Sequence, residues 1–232
     1  MFLKKSFTNA FIGTKSKFGE LSLCAMIFNR VKLLFYFLLP FFWLMEWGLA
    51  FDAKDLERLK STNSCVKCNL KGAELSFLDL SYADLQEADL RDANLSNVIL
   101  RGANLWAVLL SGANLQQSNL SGVNLSDSQA NQVNFEGANL KNCNLARANL
   151  RGAQFRRAIF YKTNFANSIL DFSGFFDTSL QEVRFNEASL RHSFWLQAKF
   201  NETDFTDAIL DGATWVHGEI CQKDSIGNCI SP

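Results

Sequence analysis

Cysteine is the residue type with the most chemistry to offer in this chain. Six are present. Cys65-Val66-Lys67-Cys68 forms one close pair, Cys221 and Cys229 form another near the C-terminus, and Cys24 and Cys143 stand alone. Two close pairs can serve a four-thiolate zinc site, a thioredoxin-type centre or two structural disulfides. The thioredoxin reading needs a strand-then-helix context around Cys65 that the flanking residues do not supply. His192 and His217, the two histidines, have no Ser or Cys nucleophile assigned beside them. Asp79, Asp84 and Asp89 recur at five-residue steps instead of converging as an acid–base pair must. No phosphate-binding glycine loop or histidine cluster is present. The chain is therefore expected to carry no catalytic residue, no cofactor and no metal.

The elements that must position these residues have an unusual period. From Leu70 to Trp215 every fifth residue is large and apolar: nineteen Leu, eight Phe and two Trp, broken once at Ala130. Two positions before each stands a small residue, with Leu78 the single bulky exception, and Asn or Asp often lies between, as in Ala93-Asn94-Leu95. Five suits neither regular element. On a helix such residues would scatter around all sides, and on a flat strand they would alternate faces. All can point inward only if the chain bends once per unit. Gly72, Gly102, Gly112, Gly122, Gly137, Gly152 and Gly212 lie two residues after a large one, where a tight corner needs them. The chain must wind as a solenoid with short sides, its lumen too narrow for a second large side chain per unit.

These units, written A-(N/D)-L-x-x, resemble the pentapeptide repeat family over roughly residues 65–217. The resemblance implies an all-β fold, a right-handed quadrilateral β-helix with four units, or twenty residues, per coil. Stacked at the ~4.8 Å strand spacing, seven to eight coils make a rod ~36 Å long. The twenty-residue register agrees with the sequence. One column reads Leu75, Leu95, Leu115, Phe135, Phe155, Phe175, Trp195, Trp215, and another turns aromatic at Phe165, Phe185 and Phe205. Outside, Arg151, Asp171, Arg191 and Asp211 share a column, as do Glu136 with Arg156 and Arg157 with Asp177. The basic run Arg147, Arg151, Arg156, Arg157, Lys162 is therefore expected to form cross-coil ion pairs in preference to a nucleic-acid patch. Ala130 should leave residues 126–132 as the weakest coil, bent or locally irregular.

A rod of that length separates the two cysteine pairs far beyond the ~7 Å that a disulfide allows between Cα atoms. Cys65–Cys68 and Cys221–Cys229 are thus the disulfide candidates, a zinc site joining the pairs is excluded, and Cys143 is expected as a buried free thiol. Residues 51–64 are expected as a capping helix with Asp52 at its N-cap and Phe51, Leu56 and Leu59 against the first coil. Residues 218–232 are expected as a disulfide-closed cap loop.

Residues 1–50 pose a separate problem. Leu33–Met45 is a thirteen-residue apolar run containing Pro40, preceded by Arg30 and Lys32 and followed by Gly48-Leu49-Ala50. That is the anatomy of a secretory signal cleaved after Ala50. Met26 would give such a signal a conventional length and is an alternative start. An uncleaved anchor at residues 31–51 is the alternative localisation, although a spanning helix needs about twenty apolar residues. Cys24 lies upstream of the run, on the wrong side for a lipoprotein anchor.

Without residues 1–50 the chain carries seventeen basic against twenty-one acidic groups, a net of −4. Some pentapeptide repeat proteins mimic DNA and bind type II topoisomerases, but mimicry needs a far denser negative surface. The leading expectation is an exported, non-enzymatic solenoid acting as a protein-binding or structural scaffold, with DNA mimicry the alternative. Nucleic acid is not expected as a partner, and the membrane only through an uncleaved N-terminal segment. Phe176, Leu196 and Val216 form an outward column with Phe194 beside it, where earlier coils carry Ser76, Ser96, Gln116, Glu136 and Arg156. This is the expected surface for a protein partner or for self-association through the C-terminal coils.

Overall fold

The computed structural model describes residues 51–231, all within one compact unit. The signal segment, the Met26 start, Cys24 and Pro232 lie outside the described residues.

Why the chain coils is answered by following the backbone donors of one five-residue unit. The large residue donates to a carbonyl nineteen residues on, as Leu70 N does to Asp89 O at 2.8 Å. The corner residue two positions later does the same, Gly72 N to Arg91 O at 2.8 Å. The small residue closes the turn, Ala73 N to Leu70 O at 3.0 Å. The residue before the next large one reaches back a coil, Asn94 N to Ala73 O at 3.0 Å. The remaining donor, directly after the large residue, is met by a side chain. Ser96 N donates to Asn94 Oδ1 at 3.2 Å, and Ser81 N to Asp79 Oδ1 at 3.0 Å. The frequent Asn or Asp thus satisfies the one amide that neither turn nor ladder can reach. Its amide group continues the ladder outside, with Asn144 Nδ2 on Asn124 Oδ1 at 3.3 Å and Asn164 Nδ2 on Asn144 Oδ1 at 3.1 Å.

Every corner from Lys67 to Gly212 has positive φ, thirty in all, of which seven are glycine. Twenty-three are not, so the cross-coil bonds hold ordinary side chains in a region that costs roughly 1–2 kcal/mol per residue. At Gly102 a Cβ would also stand 2.7 Å from the exposed Tyr82 ring, so a larger residue there would push that ring aside.

The parallel bridges between coils join residues twenty apart, from Ser64↔Asp84 to Phe194↔Thr214. The sides are so short that most contribute a single bridging residue. Among the described residues, extended strand is confined to β1 (Ile159–Tyr161), β2 (Ser179–Gln181) and β3 (Lys199–Asn201), a parallel sheet in the order β1-β2-β3. The expected β-solenoid is built of turns linked by parallel bridges, because a bend every five residues leaves no room for longer strands. In the lumen, Phe135, Phe155, Phe175 and Trp195 stack along one column with centroids 5.2, 4.8 and 4.1 Å apart. Phe165, Phe185 and Phe205 form a second column, which meets the first edge to face.

At the N-terminal end helix α1 (Ala53–Thr62) begins at Asp52, whose carboxylate accepts from Lys54 N at 2.9 Å. It ends at Asn63 in a left-handed conformation. Leu59 is fully buried, and Phe51 and Leu56 pack beside it on the core. At the other end the tail runs back antiparallel across two adjacent sides of the last coil, pairing Ile220 with Thr214 and Ile226 with Ile209.

Two expectations fail. Residues 126–132 are not irregular: Gln129 bridges Leu109 and Asn149, and Ala130 N donates to Asn149 O at 2.8 Å. Ala130 shares its coil with Phe135, the first aromatic of its column, and both are fully buried. Phe135, one corner further along the same coil, adds volume to the lumen where Ala130 removes it. Nor do Arg151 and Asp171, or Arg191 and Asp211, form ion pairs. Arg151 lies over the Phe172 ring, 4.8 Å from its centroid, while Asp171 accepts from Ser189 and from Arg191 N. The other cross-coil pairs do form, Arg147–Asp127 at 2.7 Å, Arg157–Asp177 at 3.3 Å and Arg156–Glu136 at 3.9 Å.

The Ala130–Phe135 compensation is testable by urea denaturation. Ala130→Leu is expected to overpack its coil and destabilise the fold by about 1–3 kcal/mol, and adding Phe135→Leu should recover most of that loss. A stabilised Ala130→Leu single variant would show that a gap exists there after all.

Candidate interaction surface

The repeat places two side chains per unit inside, so anything that meets a partner must stand on a corner or at a bridging position. Over the first coils those positions are mainly polar or charged, with Val66, Phe77, Tyr82, Ile99 and Trp106 as exposed exceptions scattered over several sides. They become apolar on one side of the last three coils. Phe194, at the bridging position between Gly174 and Thr214, is 48% exposed, and Leu196 on the adjoining corner is 38% exposed. Phe176 and Val216 contribute less than the sequence implies. Phe176 is half-buried with the Arg156 guanidinium 5.4 Å from its ring centroid, and Val216 is half-buried against the core.

The tail does not cover this side. Because Ile220 pairs with Thr214, it follows Phe194 and Thr214 along the same side and is 59% exposed. Ile226 continues the neighbouring side beyond Ile209 and is 56% exposed. Ile220 and Ile226 were not legible as surface residues, since the tail has no period to place them. Around the corner from Leu196, a shallow depression is floored by Ala198, Phe200 and Val216 and rimmed by Asp177, Gln197, Lys199 and His217.

The sequence-predicted chemical residues are scattered. Cys65 and Cys68 come together under α1 with Cα atoms 5.3 Å apart, and Cys221 and Cys229 come together in the tail at 5.0 Å. Cys143 is a buried free thiol whose Sγ lies 2.7 Å from Leu120 O, and burial pushes its pKa up to about 12. His192 is exposed on a corner and stacks on Phe172 at 5.1 Å, while His217 is exposed near the tail. Among the described residues, neither is hydrogen-bonded to a Ser or Cys side chain.

The run of basic residues is largely occupied. Arg147 grips Asp127 with two bonds of 2.7 Å, which hold that carboxyl below its usual range, with a further bond from Trp106 Nε1. Lys162 reaches Glu182 at 3.4 Å.

A family model for pentapeptide repeats, in eight copies, matches residues 68–106, 99–137, 109–145, 134–171 and 178–214. The chain belongs to the pentapeptide repeat family. A search of curated proteins finds no match. Among solved structures, this pentapeptide repeat protein is similar to HetL, involved in heterocyst differentiation regulation in the cyanobacterium Nostoc sp. strain PCC 7120. The identity is 29% over 68% of this chain and 74% of HetL, with a TM-score of 0.43. It is also similar to Rfr23 from the cyanobacterium Cyanothece 51142, at 23% identity over 65% of this chain and 88% of that one, with a TM-score of 0.34. QnrB1, a plasmid-mediated fluoroquinolone resistance protein, is 17% identical over 58% of this chain and 75% of its own, with a TM-score of 0.42.

The Asp127 contact has a defined pH signature. A carboxyl whose pKa is lowered on folding stabilises the fold above its unfolded value, about 3.9, and loses that contribution as pH falls through the lowered folded value. Asp127→Asn is therefore expected to lose less stability than the wild type between pH 7 and pH 3. The difference should stay below about 1 kcal/mol because the pair is exposed. Identical acid-unfolding profiles would show that the contact contributes nothing.

Proposed function

We propose that this protein is an exported, non-enzymatic scaffold that binds a protein partner through the apolar side of its last three coils. The observation that carries the reading is the exposed row of Phe194, Leu196 and Ile220, on a rod whose earlier corresponding positions are mainly polar. Contiguous exposed apolar residues on a soluble protein commonly mark an interaction site. Self-association through the C-terminal coils is one form this binding can take. Helix α1 and the disulfide-closed tail act as caps, covering edges of the end coils that would otherwise template further strands.

Export rests on the sequence of residues 1–50 and is consistent with two cysteine pairs at bonding distance. DNA mimicry ranks lower, because an excess of only four acidic groups over residues 51–232 is a sparse imitation of a phosphate backbone.

Two experiments test the proposal. N-terminal sequencing of the mature protein should begin at Phe51, whereas a carbonate-resistant species retaining Leu33–Met45 would establish a membrane anchor. Phe194→Ser with Leu196→Asp should leave the axial columns and the melting temperature nearly unchanged while abolishing self-association by light scattering and partner capture from the exported fraction. A folded double variant with unchanged mass and unchanged partners would remove this surface from consideration.

A further inference from the structure

Cys65 and Cys68 occupy an environment that a purely structural bridge would not require. Both sulfurs are buried beneath α1. The Arg58 Nη2 group donates to Cys68 Sγ and lies 3.8 Å from Cys65 Sγ. The same half-exposed Nη2 group also lies 3.3 Å from Asp55 Oδ1 and 3.4 Å from Val66 O. Cys65 Sγ meets a different partner, the Asp55 carbonyl oxygen at 3.1 Å.

These partners suit the reduced sulfurs better than the oxidised ones. A disulfide sulfur is neutral and has no proton to donate, so it gains little from either neighbour. A thiolate at Cys68 would gain a charge-assisted bond from Arg58, and a thiol at Cys65 could donate its proton to the Asp55 carbonyl. The bridge also contributes little by chain entropy, since it spans a sequence separation of only three, against eight for Cys221–Cys229. The first coil is held without it. Cys65 N donates to Asp84 O at 2.7 Å, Leu70 N to Asp89 O at 2.8 Å, and Asn69 N to Asp55 Oδ2 at 2.8 Å.

We propose that Cys65–Cys68 is a thiol–disulfide exchange site for a dithiol reductant, with Cys68 the sulfur released against Arg58. The inference holds whatever the rod binds. A thiolate of the dithiol attacks Cys65 Sγ, a mixed disulfide forms, the Cys65–Cys68 bond breaks, and its electron pair leaves on Cys68. The second thiol of the reductant gives its proton to solvent and attacks its own sulfur in the mixed disulfide. Cys65 is released and takes up a proton. Two electrons pass to the protein and the dithiol ends as a cyclic disulfide. The attack needs the buried Cys65 sulfur to become accessible, and with α1 seated again Arg58 returns to Cys68, so Arg58 acts on the equilibrium of the closed, reduced state.

The test is equilibration of the folded protein in buffers of reduced and oxidised dithiothreitol, followed by acid quench, alkylation and peptide mass spectrometry. Cys65–Cys68 is expected to open at a less reducing ratio than Cys221–Cys229. Arg58→Gln should require a ratio roughly fivefold more reducing, and Arg58→Lys should restore most of the difference. Cys221–Cys229 is the internal control, and its midpoint should not move. After reduction of the wild type at neutral pH, iodoacetamide should label Cys68 before Cys65, which decides the matter if the Gln variant does not fold. The proposal is overturned if Cys65–Cys68 opens only after Cys221–Cys229, if Arg58→Gln leaves the midpoint within about twofold, or if Cys65 is labelled first.

Discussion

The hydrogen bonds that run from each coil to the next are the constraint on which everything else rests. A chain that bends every five residues cannot satisfy its amides locally, and buried donors without partners are costly. Here the large residue, the corner residue and the bridging residue all find partners one coil away, the small residue closes the turn, and an Asn or Asp side chain meets the amide that remains. The side-chain pattern follows from this arrangement. The small position sits at a turn beside the lumen, the large one fills the axis, and the corner must accept positive φ whether or not it is glycine.

That dependence explains which parts of the molecule were legible in advance. Leu70 to Trp215 could be read because a fixed period ties each residue's position in sequence to its position around the axis. The change from Leu115 to Phe135 and from Leu145 to Phe165 agreed with the twenty-residue register that the resemblance implied, because stacked residues share an environment. The regular backbone at Ala130 was not anticipated because its column was considered by itself, whereas Phe135 also fills that coil. Arg151 and Asp171 were paired on the strength of a shared column, but a guanidinium can also settle over an aromatic ring such as Phe172. The tail lies outside the period altogether. Its cysteines located its closure, and nothing in the sequence indicated that Ile220 and Ile226 would extend two sides of the rod.

The proposed interaction surface shows the same division. Phe194 and Leu196 were placed correctly by register alone, since corners and bridging positions point outward. How much of each ring a neighbour covers depends on long side chains from the adjacent coil. Arg156 shields part of Phe176, and the core takes up part of Val216. Register therefore reads direction well and exposure poorly.

The match between a five-residue unit and a four-sided coil limits how such a rod can change length. Loss or gain of twenty residues would remove or add one whole layer and leave every column aligned. Loss of five would keep the repeat intact, with each large residue still inside. All that follows, however, would turn by one corner relative to what precedes it. Loss of five between Asp127 and Arg147, for example, would part that ion pair and turn Phe194 out of the column of Asn94 and Asn114, while Phe155 and Phe175, both beyond the cut, would stay aligned. The rod can thus be read as a dial as well as a ruler: length is set in layers, and the bearing of its surface is set in quarter-turns.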